Sequence, residues 1–249
     1  MIEICSLSAS YGKTKVLSDI SLTVPNGKIT VAAGLNGCGK TTLLRSVAGL
    51  MPYSGTVKVD GTDVNSLGRR ETSKKIAYLA QMKTPSDLTV FRTVLCGRYP
   101  HLPFPHIFTQ SDRDIAESAV KTMYLSDVAD KKTSQLSGGL LQKTGIAMIL
   151  AQQAGNILLD EPTAFLDASS RLQLMDRARH MADEGKAVLA VLHDLPLALR
   201  YADKVAVIKD GSIFAEGSPE EIYASGIAEK IFGVKLYRTE TDDGVRYFY

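Results

Sequence analysis

The residue types that cradle phosphate groups occur together in one segment of this sequence. Residues 34–41, GLNGCGKT, match the pattern GxxxxGK followed by Ser or Thr, between the apolar run ITVAA and the helix-compatible run TLLRSVAGL. Glycines let backbone N–H groups converge on phosphate oxygens, and a lysine neutralises the β- and γ-phosphate charge. The segment therefore predicts binding of ATP or GTP. The residues predicted to contact the nucleotide are Gly34, Asn36, Gly37, Cys38, Gly39, Lys40, Thr41 and Thr42.

Two acidic residues follow a second apolar run. The run is NILLD at residues 156–160, and Glu161 comes next. Carboxylates at the carboxyl end of a strand lie where ligands gather in α/β sheets. Beside a phosphate loop, the Thr41 hydroxyl is predicted to ligate Mg²⁺, Asp160 to hold the ion, usually through water, and Glu161 to polarise the water that attacks the γ-phosphate. An apolar strand that ends in Asp-Glu is also common as plain architecture, so this prediction depends on the pairing of the two segments.

The elements that must position these residues follow from apolar runs and their spacing. Short apolar runs bounded by turn residues predict strands, and apolar residues at helical spacing predict helices. Strands are predicted at 2–7, 21–24, 29–33, 56–59, 76–79, 156–160, 188–192 and 205–208, and helices at 111–124, 141–151 and 172–181. Residues 209–212, KDGS, are typical of a hairpin turn. Strands that alternate with helices at this spacing indicate an α/β fold with parallel strands.

Composition narrows the classes of function. The chain has 249 residues, and 29 Lys and Arg against 27 Asp and Glu give a net charge of +2. A charge this small lacks the broad basic face that sequence-independent nucleic-acid binding usually needs, so no nucleic-acid partner is expected. Three separated cysteines favour a reducing compartment over a disulfide framework or a zinc site. The sequence has neither a secretory leader nor about 18 consecutive apolar residues, so contact with a membrane is expected only through a partner.

A third motif, LSGGL at residues 136–140, lies between the two segments described above. It resembles the LSGGQ signature of the ATP-binding-cassette (ABC) ATPases. That resemblance implies that Ser137, Gly138 and Gly139 open a helix and grip the γ-phosphate of ATP bound to a second copy of the chain. Taken alone, most such triplets are flexible turns. Leu140 departs from the family's usual Gln, whereas the three phosphate-contacting residues are intact.

Four further residues stand where the ABC family has functional ones. The resemblance implies that Tyr11 stacks on adenine and that Gln81 contacts Mg²⁺ and water and senses the membrane partner. It further implies that Asp167 lies in the loop that crosses the dimer interface and that His193 contacts the γ-phosphate. Each has a plainer interpretation when taken alone: a surface aromatic, a solvated strand end, a helix cap, and a core or loop histidine.

The resemblance covers residues 2–234 and implies a fold as well as a site. The implied fold is α/β, with a P-loop NTPase core built on a RecA-like parallel sheet with helices. An N-terminal antiparallel β subdomain and an inserted helical subdomain that carries the signature complete it. We expect a single ABC ATPase domain over residues 1–249, with the helical subdomain inserted at about 84–152. Residues 235–249 have no counterpart in the family that we can assign.

Several stretches resemble the ABC ATPases that power uptake of iron-siderophores, haem and cobalamin. They include GRYPH at 97–101, HDL at 193–195 and FGV at 232–234. The resemblance implies ATP and Mg²⁺ as cofactors and an ATP-dependent head-to-tail dimer of two copies. It also implies membrane-spanning permease subunits and, indirectly, a solute-binding protein. The chain is then expected at the cytoplasmic face of the cell membrane, docked through residues 81–106, with apolar contacts from Phe91, Tyr99, Phe104 and Phe108.

Other functions stay open on these residues alone. If the subclass stretches are generic packing surfaces, the chain powers another import cargo or an exporter. A non-transport ABC protein that binds nucleic acid is a second alternative, although such proteins typically carry two cassettes or long coiled coils. A P-loop NTPase that regulates a partner is the third, and the signature motif and His193 speak against it.

Overall fold

Strands and helices alternate along most of the chain. The structure, a computed structural model, describes residues 1–80, 86–164, 166–241 and 244–249. The described strands are β1 (Ile2–Tyr11), β2 (Thr14–Val24), β3 (Ile29–Ala33), β4 (Ser54–Val59), β5 (Thr62–Asp63), β6 (Ile76–Leu79), β7 (Asn156–Asp160), β8 (Ala187–Leu192), β9 (Lys204–Lys209), β10 (Ser212–Gly217), β11 (Tyr237–Thr241) and β12 (Gly244–Phe248). The described helices are α1 (Lys40–Val47), α2 (Arg69–Lys75), α3 (Val90–Leu95), α4 (Gln110–Thr122), α5 (Gly138–Gln152), α6 (Ala168–Asp183), α7 (Leu195–Tyr201), α8 (Pro219–Ala224) and α9 (Ile227–Phe232).

A six-stranded sheet in the order β10-β9-β3-β8-β7-β6 forms the centre of the fold. Strands β9, β3, β8, β7 and β6 are parallel, and β10 joins the edge antiparallel to β9. The predicted turn joins β9 to β10, with positive φ at Asp210 (49°) and Gly211 (77°). Every residue of β3, β7 and β8 is buried, which explains their continuous apolar runs. The α/β fold with a parallel sheet is thus confirmed.

Apolar cores cover both faces of this sheet, because successive side chains of a strand point to opposite faces. In β8, Val188, Ala190 and Leu192 lie in the core that helices α3 to α9 share, whereas Leu189 and Val191 face the other core. That second core includes side chains of α1 and of a separate antiparallel sheet in the order β2-β1-β4-β5. The N-terminal antiparallel subdomain that the family resemblance implied is therefore present.

Between β6 and β7 the described residues form helices α3, α4 and α5 with 3₁₀ turns and no strand. Helix α4 begins with a capping box, in which Thr109 and Asp112 each accept a hydrogen bond from the other's backbone N–H. Helix α5 begins at Gly138, inside the signature motif, as the resemblance implied. The boundaries of about 84–152 stay a prediction, because residues 81–85 lie outside the described part of the chain. No described helix is both long and apolar enough to cross a bilayer.

The last residues of the chain form a hairpin that no sequence pattern predicted. Strands β11 and β12 pair antiparallel, and β12 packs against helix α7. The Tyr249 hydroxyl accepts a hydrogen bond from the Leu195 N–H at 3.3 Å. Since Leu195 begins α7, the hairpin supports the helix that starts two residues after His193.

A buried ion pair ties the helical segment together. The Arg98 Nε lies 3.1 Å from the Asp112 Oδ1, and the two side chains are 9% and 10% exposed. Arg98 Nη1 also donates to the Ala151 carbonyl oxygen and to the Gln153 Oε1, each at 2.9 Å. Burial alone would raise the pKa of Asp112, but hydrogen bonds from Thr109 and Arg98 outweigh burial and hold that pKa below its usual value. Arg98 therefore fixes the start of α4 to the end of α5.

Loss of this arginine should destabilise the chain. Arg98→Ala leaves the Asp112 carboxylate buried without its counter-charge, and we expect the free energy of unfolding to fall by about 3–5 kcal/mol in urea titrations followed by circular dichroism. Arg92→Ala, at an exposed position of α3, is the matched control and should stay within about 0.5 kcal/mol of the unaltered chain. A loss from Arg98→Ala no larger than that of the control would contradict this role.

The same pair predicts a pH dependence. Because the folded chain holds the pKa of Asp112 below its unfolded value, the stability that this carboxylate contributes is present above the unfolded-state pKa. It is lost as the pH falls through the lower folded-state pKa. The difference in unfolding free energy between the unaltered chain and Arg98→Ala should therefore narrow on acidification.

Candidate nucleotide-binding site

Three neighbouring parallel strands of the central sheet end at the same edge. The last residues of β3 and β8 pair with each other, and Asp160 at the end of β7 pairs with Val191. The segments that follow these strands carry the predicted phosphate loop, Glu161 and His193. Because the carboxyl ends of parallel strands share one edge, these residues meet although they are far apart in the sequence.

Close packing inside the phosphate loop requires glycine at two positions. Gly39 has a φ of +105°, and a Cβ there would lie 2.5 Å from the Leu17 Cδ2. At Gly34, a Cβ would lie 2.3 Å from the Ile208 carbonyl oxygen. Gly39 is also the N-cap of α1, so the loop leads into a helix N-terminus, where unpaired N–H groups favour anions. This backbone geometry is the one that the phosphate-binding prediction requires.

The Lys40 ammonium lies inside the curve of the loop. Its Nζ donates to the carbonyl oxygens of Gly34 at 2.9 Å and Leu35 at 2.8 Å, and lies 3.8 Å from the Cys38 Sγ. The residue is only 5% exposed. A buried ammonium held by neutral oxygens gains further from an anionic acceptor, because charge-assisted hydrogen bonds are the stronger ones. Lys40 is therefore the positive charge that this loop offers to a phosphate.

Both oxygens of the Asp160 carboxylate accept hydrogen bonds from hydroxyl groups. The Thr41 hydroxyl donates to the Asp160 Oδ1 at 3.0 Å, and the Tyr78 hydroxyl donates to the Asp160 Oδ2 at 2.9 Å. Asp160 is 3% exposed. Burial and the neighbouring Asp160 carboxylate raise the pKa of Tyr78, so the phenol stays protonated and remains a donor.

The oxygens of Thr41 and Asp160 fit a magnesium ion that is shared with a nucleotide. Mg²⁺ prefers hard oxygen ligands and is commonly bound by one or two protein groups together with substrate phosphates and water. The described residues contain no group of three or more His, Cys, Asp and Glu side chains that could hold a metal ion by themselves. Thr41 and Asp160 suit a site in which phosphate oxygens and water complete the coordination of the ion.

Glu161 and His193 are in direct contact. The His193 Nε2 lies 2.5 Å from the Glu161 Oε1. Glu161 has a φ of 49°, in the left-handed region that non-glycine residues rarely adopt, and its N–H donates to the Val191 carbonyl oxygen at 3.1 Å. Such a backbone costs about 1–3 kcal/mol and persists where surrounding contacts enforce it, often at functional sites. Here it directs the carboxylate toward the phosphate loop.

One cleft of about 150 Å³ collects these groups. Its lining residues are Val16, Asn36, Gly37, Gly39, Lys40, Thr41, Thr42, Glu161 and His193. Asp160 does not line the cleft itself, but it accepts a hydrogen bond from the lining residue Thr41. Gly34 and Cys38 likewise contact the lining residue Lys40. The structure thus brings together most of the residues predicted from the phosphate-loop and acidic segments.

The signature residues lie elsewhere. Ser137 is the N-cap of α5, where its hydroxyl oxygen accepts from the Leu140 N–H at 3.4 Å, and both Ser137 and Gly138 are exposed. Gly139 lines a different groove, against α6. Asp167 is the N-cap of α6, and hydrogen bonds from the Ser170 N–H and hydroxyl lower its pKa. None of these four residues is among those that line the phosphate cleft.

Tyr11 and Gln81 are the two remaining predicted site residues. Tyr11 ends β1 and is 50% exposed, so part of its side chain is accessible from solvent. Its hydroxyl and that of Tyr78 both interact with the Arg45 guanidinium and raise its pKa. Gln81 lies outside the described residues.

Sequence reasoning missed Tyr78 and Arg45. Tyr78 pairs with Leu158 across β6 and β7, which brings it to the same sheet face as Asp160, two residues further along β7. No sequence signal reveals this contact unless β6 and β7 are known to be neighbours. Arg45 follows Thr41 by four residues on α1, and that spacing could have indicated that the two share a helix face.

Comparison with known proteins agrees with this geometry. The sequence profile of the family described as "ABC transporter" matches residues 17–164. The Bacillus subtilis (strain 168) protein named "Probable siderophore transport system ATP-binding protein YusV" is 40% identical over 94% of this chain and 86% of its own length. The Escherichia coli (strain K12) ferric enterobactin transport ATP-binding protein FepC is 38% identical over 92% of this chain and 86% of its own length.

A solved structure gives the same result. The chain superposes on the dimeric structure of MJ0796, a bacterial ABC transporter cassette, with a TM-score of 0.78 and 27% identity, covering 88% of this chain and 99% of that one. The family resemblance inferred from the sequence motifs is confirmed. This chain belongs to the ABC transporter family, as one of its ATP-binding, ATP-hydrolysing cassettes.

Proposed function

We propose that this chain powers import of iron-siderophore complexes, as one of two ATPase subunits docked on a permease at the cytoplasmic face of the membrane. The observation that carries the ATPase part is the single cleft that joins the phosphate loop, Glu161 and His193. The iron-siderophore cargo is supported by the names of the two bacterial relatives described above. Haem and cobalamin are the less supported cargoes of the predicted subclass.

Within the cleft, the residues divide the chemistry of ATP hydrolysis between them. Lys40 and the loop N–H groups bind the phosphates, and Thr41 and Asp160 hold Mg²⁺, with Gln81 as a further ligand implied by the family resemblance. When bound, the metal neutralises charge on the phosphate oxygens. Glu161 accepts the proton of the attacking water, and His193, 2.5 Å away, holds that carboxylate in place.

The site is completed by a second copy of the chain. Ser137 to Gly139 lie at the N-terminus of helix α5, an arrangement that suits an anion, yet they lie outside the phosphate cleft of their own chain. In a head-to-tail dimer, the signature of each copy would face the γ-phosphate bound by the other, with Asp167 near the interface. The dimeric cassette at 27% identity supports this arrangement.

An exposed aromatic surface supports docking of the permease. Tyr99 is 57% exposed and Phe104 87% exposed, and His106 stacks on Tyr99 with ring centroids 5.3 Å apart. Phe91 and Phe108, which the sequence suggested as further contacts, instead pack against the core that helices α3 to α9 share. The docking surface proposed here is therefore narrower than the predicted one. On the other side of the membrane, a solute-binding protein delivers the cargo to the permease.

Glu161→Gln should nearly abolish ATP hydrolysis. The amide keeps the shape of the side chain but cannot accept the proton, so we expect turnover to fall by about 100-fold or more while the affinity for ATP is unchanged. Phosphate release measures turnover, and equilibrium dialysis measures ATP binding. The control Glu184→Gln removes a carboxylate that pairs with Lys186 on the surface and should leave both unaltered. Near-normal turnover by Glu161→Gln would exclude the role given to this residue.

Ser137→Arg should separate ATP binding from hydrolysis. A bulky cation at the tip of α5 blocks the approach of the partner's γ-phosphate, whereas the phosphate loop of the same chain is untouched. We expect unchanged ATP affinity, lost turnover, and only about 1 kcal/mol of lost stability from the missing N-cap. Ser134→Arg, at an exposed position three residues earlier, is the control and should hydrolyse ATP normally. Normal hydrolysis by Ser137→Arg would contradict a shared site.

The cargo can be tested in cells. Deletion of the gene should abolish uptake of ⁵⁵Fe supplied as a siderophore complex, and the unaltered gene should restore it. Glu161→Gln should not restore uptake, because transport then lacks ATP hydrolysis. Uptake of the ⁵⁵Fe complexes at normal rates in the deletion strain, with loss of haem or cobalamin uptake instead, would reject iron-siderophores as the cargo.

A further inference from the structure

Tyr78, on strand β6, reaches the carboxylate at the end of the neighbouring strand. We propose that Tyr78 is a positioning residue, held by Arg45, that orients Asp160 and through it the Thr41 hydroxyl for the Mg²⁺ of the bound nucleotide. The inference rests on the proposed function, in which Thr41 and Asp160 hold the metal. It assigns a task to two side chains that the family motifs do not include.

The carboxylate of Asp160 has one donor on each oxygen. Thr41 donates to the Oδ1 at 3.0 Å and Tyr78 donates to the Oδ2 at 2.9 Å. Rotation of the carboxylate would break at least one of these two hydrogen bonds. Because Asp160 is only 3% exposed, a water molecule could not readily replace the lost donor. Hydrogen bonds to an ionised acceptor are also the stronger kind. The Tyr78 bond therefore fixes the plane of the carboxylate.

The orientation of Asp160 sets the direction of the Thr41 hydroxyl. A hydroxyl has one proton and two lone pairs, so a proton directed at the Asp160 Oδ1 leaves the lone pairs to face the phosphate cleft. Thr41 lines that cleft. A hard cation bound by this oxygen needs a lone pair, and the donated proton does not compete with it. Tyr78 thus acts on the metal ligand through Asp160 rather than by contact.

Arg45 keeps Tyr78 in this role. The guanidinium carries only donors, so its interaction with Tyr78 is with the phenol oxygen, and the phenol proton remains directed at the Asp160 Oδ2. Arg45 lies four residues after Thr41 on α1, on the same helix face. Arg45 also interacts with Tyr11, the residue that the family resemblance assigns to the adenine base, and this interaction raises the pKa of Arg45. One side chain therefore connects the proposed base contact with the proposed metal ligands.

The test is a measurement of metal affinity with one hydroxyl removed. Tyr78→Phe keeps the ring and deletes the donor. Mn²⁺, which is visible by electron paramagnetic resonance, replaces Mg²⁺, and ADP is used so that no turnover occurs. We expect the dissociation constant of Mn²⁺ for the ADP-bound chain to rise about tenfold or more, as is usual when a partner of a metal ligand is lost. Binding of ADP in EDTA should be unchanged.

Tyr53→Phe is the matched control. Its hydroxyl is buried and has no hydrogen-bond partner among the described residues, so its removal should change neither Mn²⁺ nor ADP binding. An unchanged Mn²⁺ affinity in Tyr78→Phe, with normal ADP binding, would overturn this inference and leave the proposed function intact. Failure of the unaltered chain to bind ADP at all would instead overturn the proposed function, and this inference with it.

Discussion

The common edge at which strands β3, β7 and β8 end is the constraint on which the candidate site depends. Each strand is buried along its whole length, so its register is set by the two apolar cores on either side. A shift of one residue in β7 would turn Asp160 toward the opposite face of the sheet. The hydrophobic pattern that stabilises the fold therefore also positions the carboxylate, the loop and the histidine.

A second consequence of this architecture is that the chain presents its functional groups at two separate places. The phosphate loop, Glu161 and His193 line one cleft, whereas the tip of α5 is exposed elsewhere. The ion pair between Arg98 and Asp112 holds α4 against the end of α5, so the helix that carries the signature is anchored at its far end. A helix that is anchored at one end and exposed at the other is suited to contact a ligand that another molecule holds.

Local sequence patterns predicted much of this arrangement. The parts that depend on contacts between distant segments of the chain could not be predicted from the sequence. The phosphate loop and strands β3 and β7 were recognisable because glycine spacing and continuous apolar runs are local features. The bond between Tyr78 and Asp160 was not, because it depends on the order of strands in the sheet. The terminal hairpin was missed for a similar reason, since strand β11 is exposed throughout and carries no apolar alternation. Gln81 lies outside the described residues, so its role stays a prediction.

In the proposed dimer, ATP is held between the phosphate loop of one copy and the signature of the other. Sedimentation equilibrium of the Glu161→Gln chain, which is expected to bind ATP without hydrolysing it, tests this arrangement. We expect the mass of two chains with ATP and Mg²⁺ and the mass of one chain with ADP and Mg²⁺, because ADP lacks the γ-phosphate that the signature is proposed to contact. A single-chain mass at saturating ATP would contradict it.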